Sequence, residues 1–196
     1  MKNLNLELDD GALAQAARTN PDVFDALYRR YVTRIYRYCC THAGNRADVE
    51  DLTAQTFLAA LEGLPRYRGR GPFAAWLFGI ARRKCADHHR SQYAHRSEPL
   101  DAANPLVLSA VEGLPDPSVP NPERRAYRNG ILDCVQRVLP HLSPDRREAL
   151  TLRFWGGLKA RQVAAVMRRS EGAVKMLVSR AVADLRRRCL DEKEIE

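Results

Sequence analysis

The sequence lacks a long hydrophobic run, and this absence excludes most classes of membrane protein. The longest apolar stretch, FAAWLFGIA at 73–81, is far shorter than the roughly 20 residues that a membrane-spanning helix needs. The first ten residues, MKNLNLELDD, contain no apolar core of the signal-peptide kind. We therefore expect a cytoplasmic protein that does not insert into a membrane.

Cysteine is scarce and irregularly spaced. Five cysteines are an odd number, so a disulfide framework is not expected, and a reducing cytoplasm is the simplest compartment. Cys85, His88 and His89 lie close together in the stretch CADHH, and a small metal enzyme built on them is one alternative. A zinc site needs at least one further ligand, which the neighbouring sequence does not supply. We expect neither a metal nor a cofactor.

The short motifs of the common enzyme classes are also missing. The sequence contains no P-loop, no dinucleotide-binding glycine fingerprint, no HExxH zinc motif and no GxSxG nucleophile elbow. Alternation of apolar and polar residues, which is typical of strands, is absent throughout. The sequence therefore predicts an all-α protein that is not an enzyme.

Positive charge is what the chain has in excess. Lysine and arginine number 32 against 24 acidic residues, which gives a net charge of +8. Such a balance favours a polyanionic partner, either nucleic acid or a membrane surface. The excess is concentrated in 66–90, with seven cations and one acid, and in 168–190, with seven cations and two acids. This clustering favours nucleic acid.

Composition divides the chain into two predicted helical domains and a linker. Residues 11–93 and 126–190 carry apolar side chains at helical spacing. Between them, residues 94–125 contain six prolines and an excess of acidic residues, which predict a linker rather than a continuous helix. Within it, PLVLSAVEGL is apolar enough to form a short docking helix.

Three apolar stripes predict the helices of the first domain. They comprise Phe24, Leu27, Tyr28, Tyr31, Ile35 and Cys39; Val49, Leu52, Thr56, Phe57 and Ala60; and Phe73, Trp76, Leu77, Ile80 and Ala81.

Residues 158–190 have the pattern of a helix-turn-helix, with two amphipathic segments joined by a polar break. Ser170 is a suitable N-cap for the second helix. The predicted inward positions are Leu158, Val163, Ala164, Met167, Val174, Leu177, Val178, Ala181 and Leu185. The predicted outward positions are Lys175, Met176, Ser179, Arg180 and Val182. A helix fits the major groove of DNA, where its N-terminal outward side chains reach base edges. An amphipathic helix with a solvated basic face is the plainer alternative.

Both halves resemble the sigma-70 family of bacterial RNA polymerase subunits. ADVEDLTAQTFLAAL (47–61) and YRGRGPFAAWLFGIARRKCADHHR (67–90) look like region 2 of that family. The stretch from LSPDRREALTLRFWGG to VADLRR (142–187) looks like region 4. The order and the short linker match the extracytoplasmic-function (ECF) group. The resemblance implies a subunit that binds core polymerase and directs initiation at promoters.

The resemblance assigns roles to three groups of residues. Docking on the polymerase clamp coiled coil is implied for Asp48, Glu50, Asp51, Leu52, Gln55 and Phe57. Recognition and melting of the −10 element are implied for Arg66, Tyr67, Arg68, Arg70, Trp76, Arg82, Arg83 and Lys84. Reading of the −35 element is implied for Lys175, Met176, Ser179 and Arg180, with Arg161, Arg169 and Ser170 at phosphates. The polymerase flap is a further implied partner, and many family members are held by an anti-sigma protein.

Several points stay open at this level. Leu52 and Phe57 can fill the core rather than a docking face, and Phe73 and Trp76 can do the same rather than stack on bases. Arg168 stands where the family often has glycine, and a left-handed turn there would cost arginine roughly 1 kcal/mol. A free-standing dimeric helix-turn-helix regulator is the alternative function, with the first domain as its dimerisation or sensing module.

Overall fold

The computed structural model describes residues 9–95, 134–135 and 137–190, and it contains no strand within those ranges. The predicted all-α class is confirmed. Apart from its first two residues, the predicted linker lies outside the described residues, together with its acidic side chains and its short docking helix.

The first domain contains four helices: α1 (Asp10–Ala16), α2 (Phe24–Cys40), α3 (Arg46–Gly63) and α4 (Phe73–His95). Short 3-10 turns at Pro21–Val23 and Leu64–Arg66 connect them. The second domain contains a 3-10 turn at Leu139–His141 and the helices α5 (Pro144–Phe154), α6 (Ala160–Met167) and α7 (Glu171–Leu190). No helix among the described residues is long and apolar enough to cross a membrane.

The predicted apolar stripes form the core of the first domain, where α2, α3 and α4 pack together. Leu27, Ile35 and Val49 are fully buried, and each such side chain contributes about 1.5–3 kcal/mol relative to an exposed one. Tyr28 is the exception, because it lies at the edge of the stripe and stays 42% exposed. Its ring meets the edge of Phe57 at a centroid distance of 4.8 Å.

The second domain has the predicted helix-turn-helix, formed by α6 and α7. Val163 and Val174 are fully buried, and the amide of Ala173 donates to the hydroxyl of Ser170 at 3.2 Å, as expected of an N-cap. Val182 was predicted to point outward, but it is partly buried against the cluster that contains Leu150. The reason is that α7 packs along α5 as well as α6, so its second half has two covered sides.

The two domains pack directly against each other. Phe78 of α4 and Leu152 of α5 belong to one hydrophobic cluster. Gly156 lies at their contact: a Cβ there would be 2.6 Å from the carbonyl oxygen of Leu152 and 2.9 Å from Cε1 of Phe78. Only glycine fits at this close approach of a loop to a ring.

Arg168 adopts the left-handed conformation expected of it, with φ 55° and ψ 46°. Among the described residues it is the only non-glycine with positive φ. Its amide closes α6 by donating to the carbonyl of Ala164. The turn of the helix-turn-helix is therefore formed in a conformation that L-amino acids disfavour.

We expect Arg168→Gly to raise the melting temperature of the full chain, because glycine removes the roughly 1 kcal/mol cost of this conformation. For a chain of this size the rise should be about 2–4 °C. Thermal unfolding followed by circular dichroism measures it. Arg168→Ala is the control, since it removes the side chain but keeps Cβ and should give no gain. An unchanged or lower melting temperature for the glycine variant would show that the left-handed conformation of Arg168 costs no stability.

Candidate functional site

The outward face of α7 carries four side chains that the sequence assigned to base reading. Lys175, Met176, Ser179 and Arg180 are all exposed, and Met176 is exposed by 52%. Lys175 holds the carboxylate of Glu171 at 2.8 Å, one turn earlier. This ion pair lowers the pKa of Glu171. The N-terminal half of α7 thus presents a mixed basic, hydroxyl and thioether surface.

Arg180 is the cation in this group with no ionic partner in the described part of the chain. The acid one turn further along the same helix, Asp184, instead pairs with Arg146 of α5 at 2.6 Å and with Arg187 at 3.4 Å. The guanidinium of Arg180 therefore keeps its five donors for an external acceptor.

The residues assigned to phosphate contacts flank the turn between α6 and α7. Arg161 is exposed. Arg169 forms an ion pair with Asp145 of α5 at 2.6 Å, with both side chains about half exposed. A phosphate would compete with Asp145 for Arg169. The hydroxyl of Ser170 is already used as the helix cap.

The loop after α3, residues 67–72, is held from inside by aromatic rings. Tyr67 is only 6% exposed, and its hydroxyl donates to the carbonyl of Gly71 at 2.9 Å. The rings of Phe73 and Trp76 lie 5.7 and 5.0 Å from that of Tyr67. Phe73 is buried and Trp76 is partly buried against the core. In this conformation the rings shape the loop, and neither Tyr67 nor Phe73 is free to stack on a base.

Arginines surround this loop on the outside. Arg66, Arg68 and Arg70 are exposed, and together with Trp76 they line a cavity of about 400 Å³. Ala165 of α6 lines the same cavity. The helix-turn-helix of the second domain therefore borders the site assigned to the −10 element. Further along α4, Arg83 is exposed and Lys84 is partly exposed.

The surface of α3 differs from the one that the sequence assigned to polymerase docking. Leu52 and Phe57 are 2% and 5% exposed, so in this conformation their side chains fill the core. The apolar part of the exposed surface is instead formed by Leu58 and Leu61, which are 59% and 40% exposed. They were missed because the docking residues came from the resemblance, which names Leu52 and Phe57 but neither Leu58 nor Leu61. Helical spacing from Asp51 would have found them.

The acids at the start of α3 are not equivalent. Asp51 is exposed and accepts a hydrogen bond from the side-chain amide of Gln55 at 2.6 Å. Glu50 is exposed and pairs with Arg46 at 2.7 Å. Asp48 is partly buried and lies 3.5 Å from His88. We define the α3 docking face as Asp51, Gln55, Leu58 and Leu61, which share one side of the helix.

A partly buried carboxylate lies between the two domains, with 13% of its side chain exposed. Glu148 of α5 accepts a hydrogen bond from the hydroxyl of Tyr38 at 2.9 Å and lies 3.4 Å from Nε of Arg82. Burial raises the pKa of Glu148, while Tyr38 and Arg82 oppose this rise. Arg82, which the sequence assigned to DNA, is thus occupied by the second domain.

Two further side chains of α2 and its C-terminal end face the second domain. Arg34 donates to the carbonyls of Gly156 and Gly157 at 2.8 and 3.2 Å. His42 lies 3.6 Å from the carboxylate of Glu148, which is beyond hydrogen-bond distance. Burial lowers the pKa of His42 to about 3, so its ring is neutral.

The thiol and imidazoles of the CADHH stretch face different neighbours. Cys85 is buried and interacts with the thiol of Cys39, and this contact and burial raise the pKa of Cys85. His88 is directed to Asp48, and the ring of His89 lies 6.1 Å from that of His42. No group of three or more potential metal ligands occurs in the part of the chain that the structure describes.

The expectation that cysteines form no disulfide was wrong at one position. Cys134 and Cys189 are bonded, with their Cα atoms 5.7 Å apart and 55 residues apart in sequence. Cys39, Cys40 and Cys85 are buried and form no disulfide. The odd cysteine count gave no signal for this pair, because the pairing depends on how α7 folds back on the start of the second domain.

Family models match both domains in the same order. The model of Sigma-70 region 2 matches residues 27–94, and that of Sigma-70, region 4, matches residues 132–185. The region 2 match covers most of the first domain. The alternative of a free-standing dimeric regulator therefore gains no support.

Curated relatives agree with these matches. The chain is 40% identical to the ECF RNA polymerase sigma factor BldN of Streptomyces coelicolor over 87% of its own length, and it spans 62% of the length of BldN. It is 31% identical to the ECF RNA polymerase sigma factor SigD of Mycobacterium tuberculosis, over 90% of this chain and 82% of SigD.

Solved structures show the same fold. CnrH in complex with the cytosolic domain of CnrY matches with a TM-score of 0.62 at 26% identity, over 90% of this chain and 94% of that one. The sigma factor RpoE of Bartonella quintana, solved with the anti-sigma factor NepR, matches with a TM-score of 0.60 at 20% identity, over 86% of this chain and 96% of RpoE.

We expect Glu148→Arg to separate the two domains, because it places a second cation beside Arg82 at the contact between them. Small-angle X-ray scattering should show a radius of gyration several ångströms above that of the wild type, since a compact chain of this length has about 16 Å. Glu148→Gln is the matched control. It keeps an acceptor for Tyr38 without the buried charge, and its scattering should match the wild type. A compact Glu148→Arg variant would show that this contact does not hold the domains together.

Proposed function

Because the chain belongs to the ECF group of the sigma-70 family, whose members direct bacterial RNA polymerase to promoters, we propose a division of this work between its domains. The first domain docks on core polymerase through the α3 docking face and opens the −10 element. The second reads the −35 element with α7. The observation that carries this proposal is that α7 presents an exposed basic face in the domain that matches region 4.

For the −35 element, the N-terminal half of α7 enters the major groove. Arg180 has no ionic partner among the described residues, and an arginine can donate two hydrogen bonds to one guanine. Lys175 exchanges its pairing with Glu171 for a base or a phosphate. Arg161 and Arg169 bind the phosphates on either side, which positions the helix but carries no base preference.

For the −10 element, the loop at 67–72 and the arginines around it provide the binding surface. Arg66, Arg68 and Arg70 follow the phosphates of a single strand, while Arg83 and Lys84 extend the track along α4. The cavity that Trp76 lines together with Arg66, Arg68 and Arg70 accepts a base that has left the stack. Unstacking costs a few kcal/mol, which a shaped pocket compensates. The chain supplies recognition, and the polymerase performs the chemistry in the cytoplasm.

For core polymerase, the α3 docking face combines charge and exposed apolar area. Asp51 and Gln55 present polar groups that suit a basic helix of the polymerase clamp. Leu58 and Leu61 add apolar surface that water covers in the free chain. An interface with an apolar centre and a polar rim is typical of specific protein association.

The packed arrangement of the domains must open before a promoter is bound. Ala165 borders the −10 cavity, and Lys175 follows it by ten residues, so the two are at most about 36 Å apart even along an extended chain. Promoter elements about 25 base pairs apart are separated by about 85 Å along B-DNA. We call the packed arrangement of the two domains the closed form. In the closed form the chain cannot reach both promoter elements at once. Opening also releases Arg82 from Glu148.

An anti-sigma protein would act on the equilibrium between the closed and the open arrangement of the two domains. RpoE of Bartonella quintana has been solved with such a partner, NepR. For this chain we propose a partner that binds both domains and favours the closed form, which withholds the −10 cavity and Arg82 from DNA.

We expect Asp51→Arg to abolish co-purification of the full chain with core RNA polymerase, because it reverses the charge at the acidic end of the α3 docking face. Pull-down with purified core enzyme is the measurement. Asp25→Arg is the control: Asp25 is an exposed acid on α2 that pairs with Arg29, and its reversal should leave binding intact. Retention of the Asp51→Arg variant at wild-type levels would move the docking site elsewhere.

We expect Arg180→Ala to weaken binding of the polymerase holoenzyme to a promoter by roughly 5–150-fold, which corresponds to the 1–3 kcal/mol of one bidentate contact with guanine. The loss should be confined to one base pair of the −35 element, so replacing that pair should cost the variant nothing further. Filter binding with wild-type and substituted promoters measures both effects. Arg188→Ala, an exposed cation at the far end of α7, should show a small loss that is uniform across sequences. An equal, sequence-independent loss in both variants would argue against base reading by Arg180.

A further inference from the structure

The second domain contains a covalent bond between two cysteines. Cys134 precedes the 3-10 turn at Leu139–His141, and Cys189 lies in the last turn of α7. Their Cα atoms are 5.7 Å apart, within the range that a disulfide allows. The bond joins the segment before α5 to the C-terminal end of α7.

Among the described residues, a small cluster surrounds the bond. Cys134, Cys189 and Val138 are its buried members, and Leu185 packs against it. This cluster is separate from the large core that the two domains share. A cross-link between positions 55 residues apart has a large effect on stability, because it restricts the unfolded chain.

The other three thiols lie in a different environment. Cys39, Cys40 and Cys85 are at most 1% exposed, inside the first domain. Burial raises the pKa of Cys40 to about 12 and also raises that of Cys85. Since the thiolate is the form that reacts with oxidants, these thiols are protected.

The bonded pair is more accessible than the other three cysteines. Cys134 and Cys189 are 5% and 7% exposed. Their sulfur atoms are also already within bonding distance of each other. The pair is therefore the preferred target of an oxidant among the five cysteines.

We propose that Cys134 and Cys189 form a reversible oxidation site that reacts with hydrogen peroxide. One thiolate attacks the peroxide oxygen and becomes a sulfenic acid as the O–O bond breaks, and the departing hydroxide is protonated to water. The second thiolate attacks that sulfur, which forms the S–S bond and releases a second water. Two electrons pass from sulfur to one peroxide. A dithiol reductant of the thioredoxin class returns them.

The bond then changes how firmly the last turn of α7 is held. In the oxidised form that turn is bonded covalently to the segment before the 3-10 turn at Leu139–His141. In the reduced form the described contacts there are the non-covalent ones of the cluster that contains Val138 and Leu185. The inference rests on the proposed function only in placing the chain in the cytoplasm, where disulfides are usually transient and redox-sensing.

The test uses the full chain, reduced and then treated with one equivalent of hydrogen peroxide. Peptide mapping should show Cys134 linked to Cys189, with the other three cysteines still open to alkylation after unfolding. The oxidised chain should melt roughly 10 °C above the reduced chain. Dithiothreitol should reverse both changes.

Three variants separate the pair from the other thiols. Cys134→Ser and Cys189→Ser should each abolish the peroxide-dependent rise in melting temperature, whereas Cys40→Ser should keep it. A peroxide-induced link between Cys39 and Cys85, an unreacted pair, or equal melting temperatures for the two redox forms would overturn the proposal. No readout involves polymerase or DNA, so failure here is distinguishable from failure of the proposed function.

Discussion

The contact between α4 and the loop that joins α5 to α6 is the constraint on which the arrangement of this protein depends. At Gly156 the loop approaches Phe78 so closely that no Cβ fits. Around this point the hydrophobic cores of the two domains merge. Arg34 then binds the loop carbonyls, so the polar backbone at the contact is satisfied as well as the apolar surface.

Glu148 adds a charged group to this contact between the domains. A carboxylate that is mostly withdrawn from water carries a desolvation cost that its partners offset, and here those partners, Tyr38 and Arg82, both come from the first domain. The opening of the domains that we propose would exchange these partners for water. Because Arg82 is one of the partners, release of the domains also changes the charge available to DNA.

Much of the fold was predictable from local sequence. Helical spacing identified the buried faces of α2 and α3, and the cap at Ser170 and the strained turn at Arg168 were both predicted correctly, because caps and turns depend on neighbouring residues. The errors have a common cause. Val182 and the disulfide partner Cys189 are placed by helices that pack from elsewhere in the chain, and spacing along one helix does not reveal them.

In the candidate site, too, the features that depend on one helix were predictable and those that depend on packing were not. Lys175, Met176, Ser179 and Arg180 could be assigned to the surface because α7 has a clear inward stripe. On α3 the resemblance supplied residues from both sides of the helix, and only the packed structure separates the buried Leu52 and Phe57 from the exposed Leu58 and Leu61. The occupation of Arg82 by Glu148 was invisible in the sequence, since the two residues meet only when the domains pack.

The claim that the closed form must open is tested most directly by the distance between the domains in two states. A donor dye at Thr19 and an acceptor at Ala183, both exposed, report this distance by single-molecule energy transfer. We expect high transfer in the free chain and low transfer once the chain is bound with core polymerase to promoter DNA. High transfer in the promoter complex would mean that the domains stay packed while DNA is bound, which would contradict the opening of the closed form.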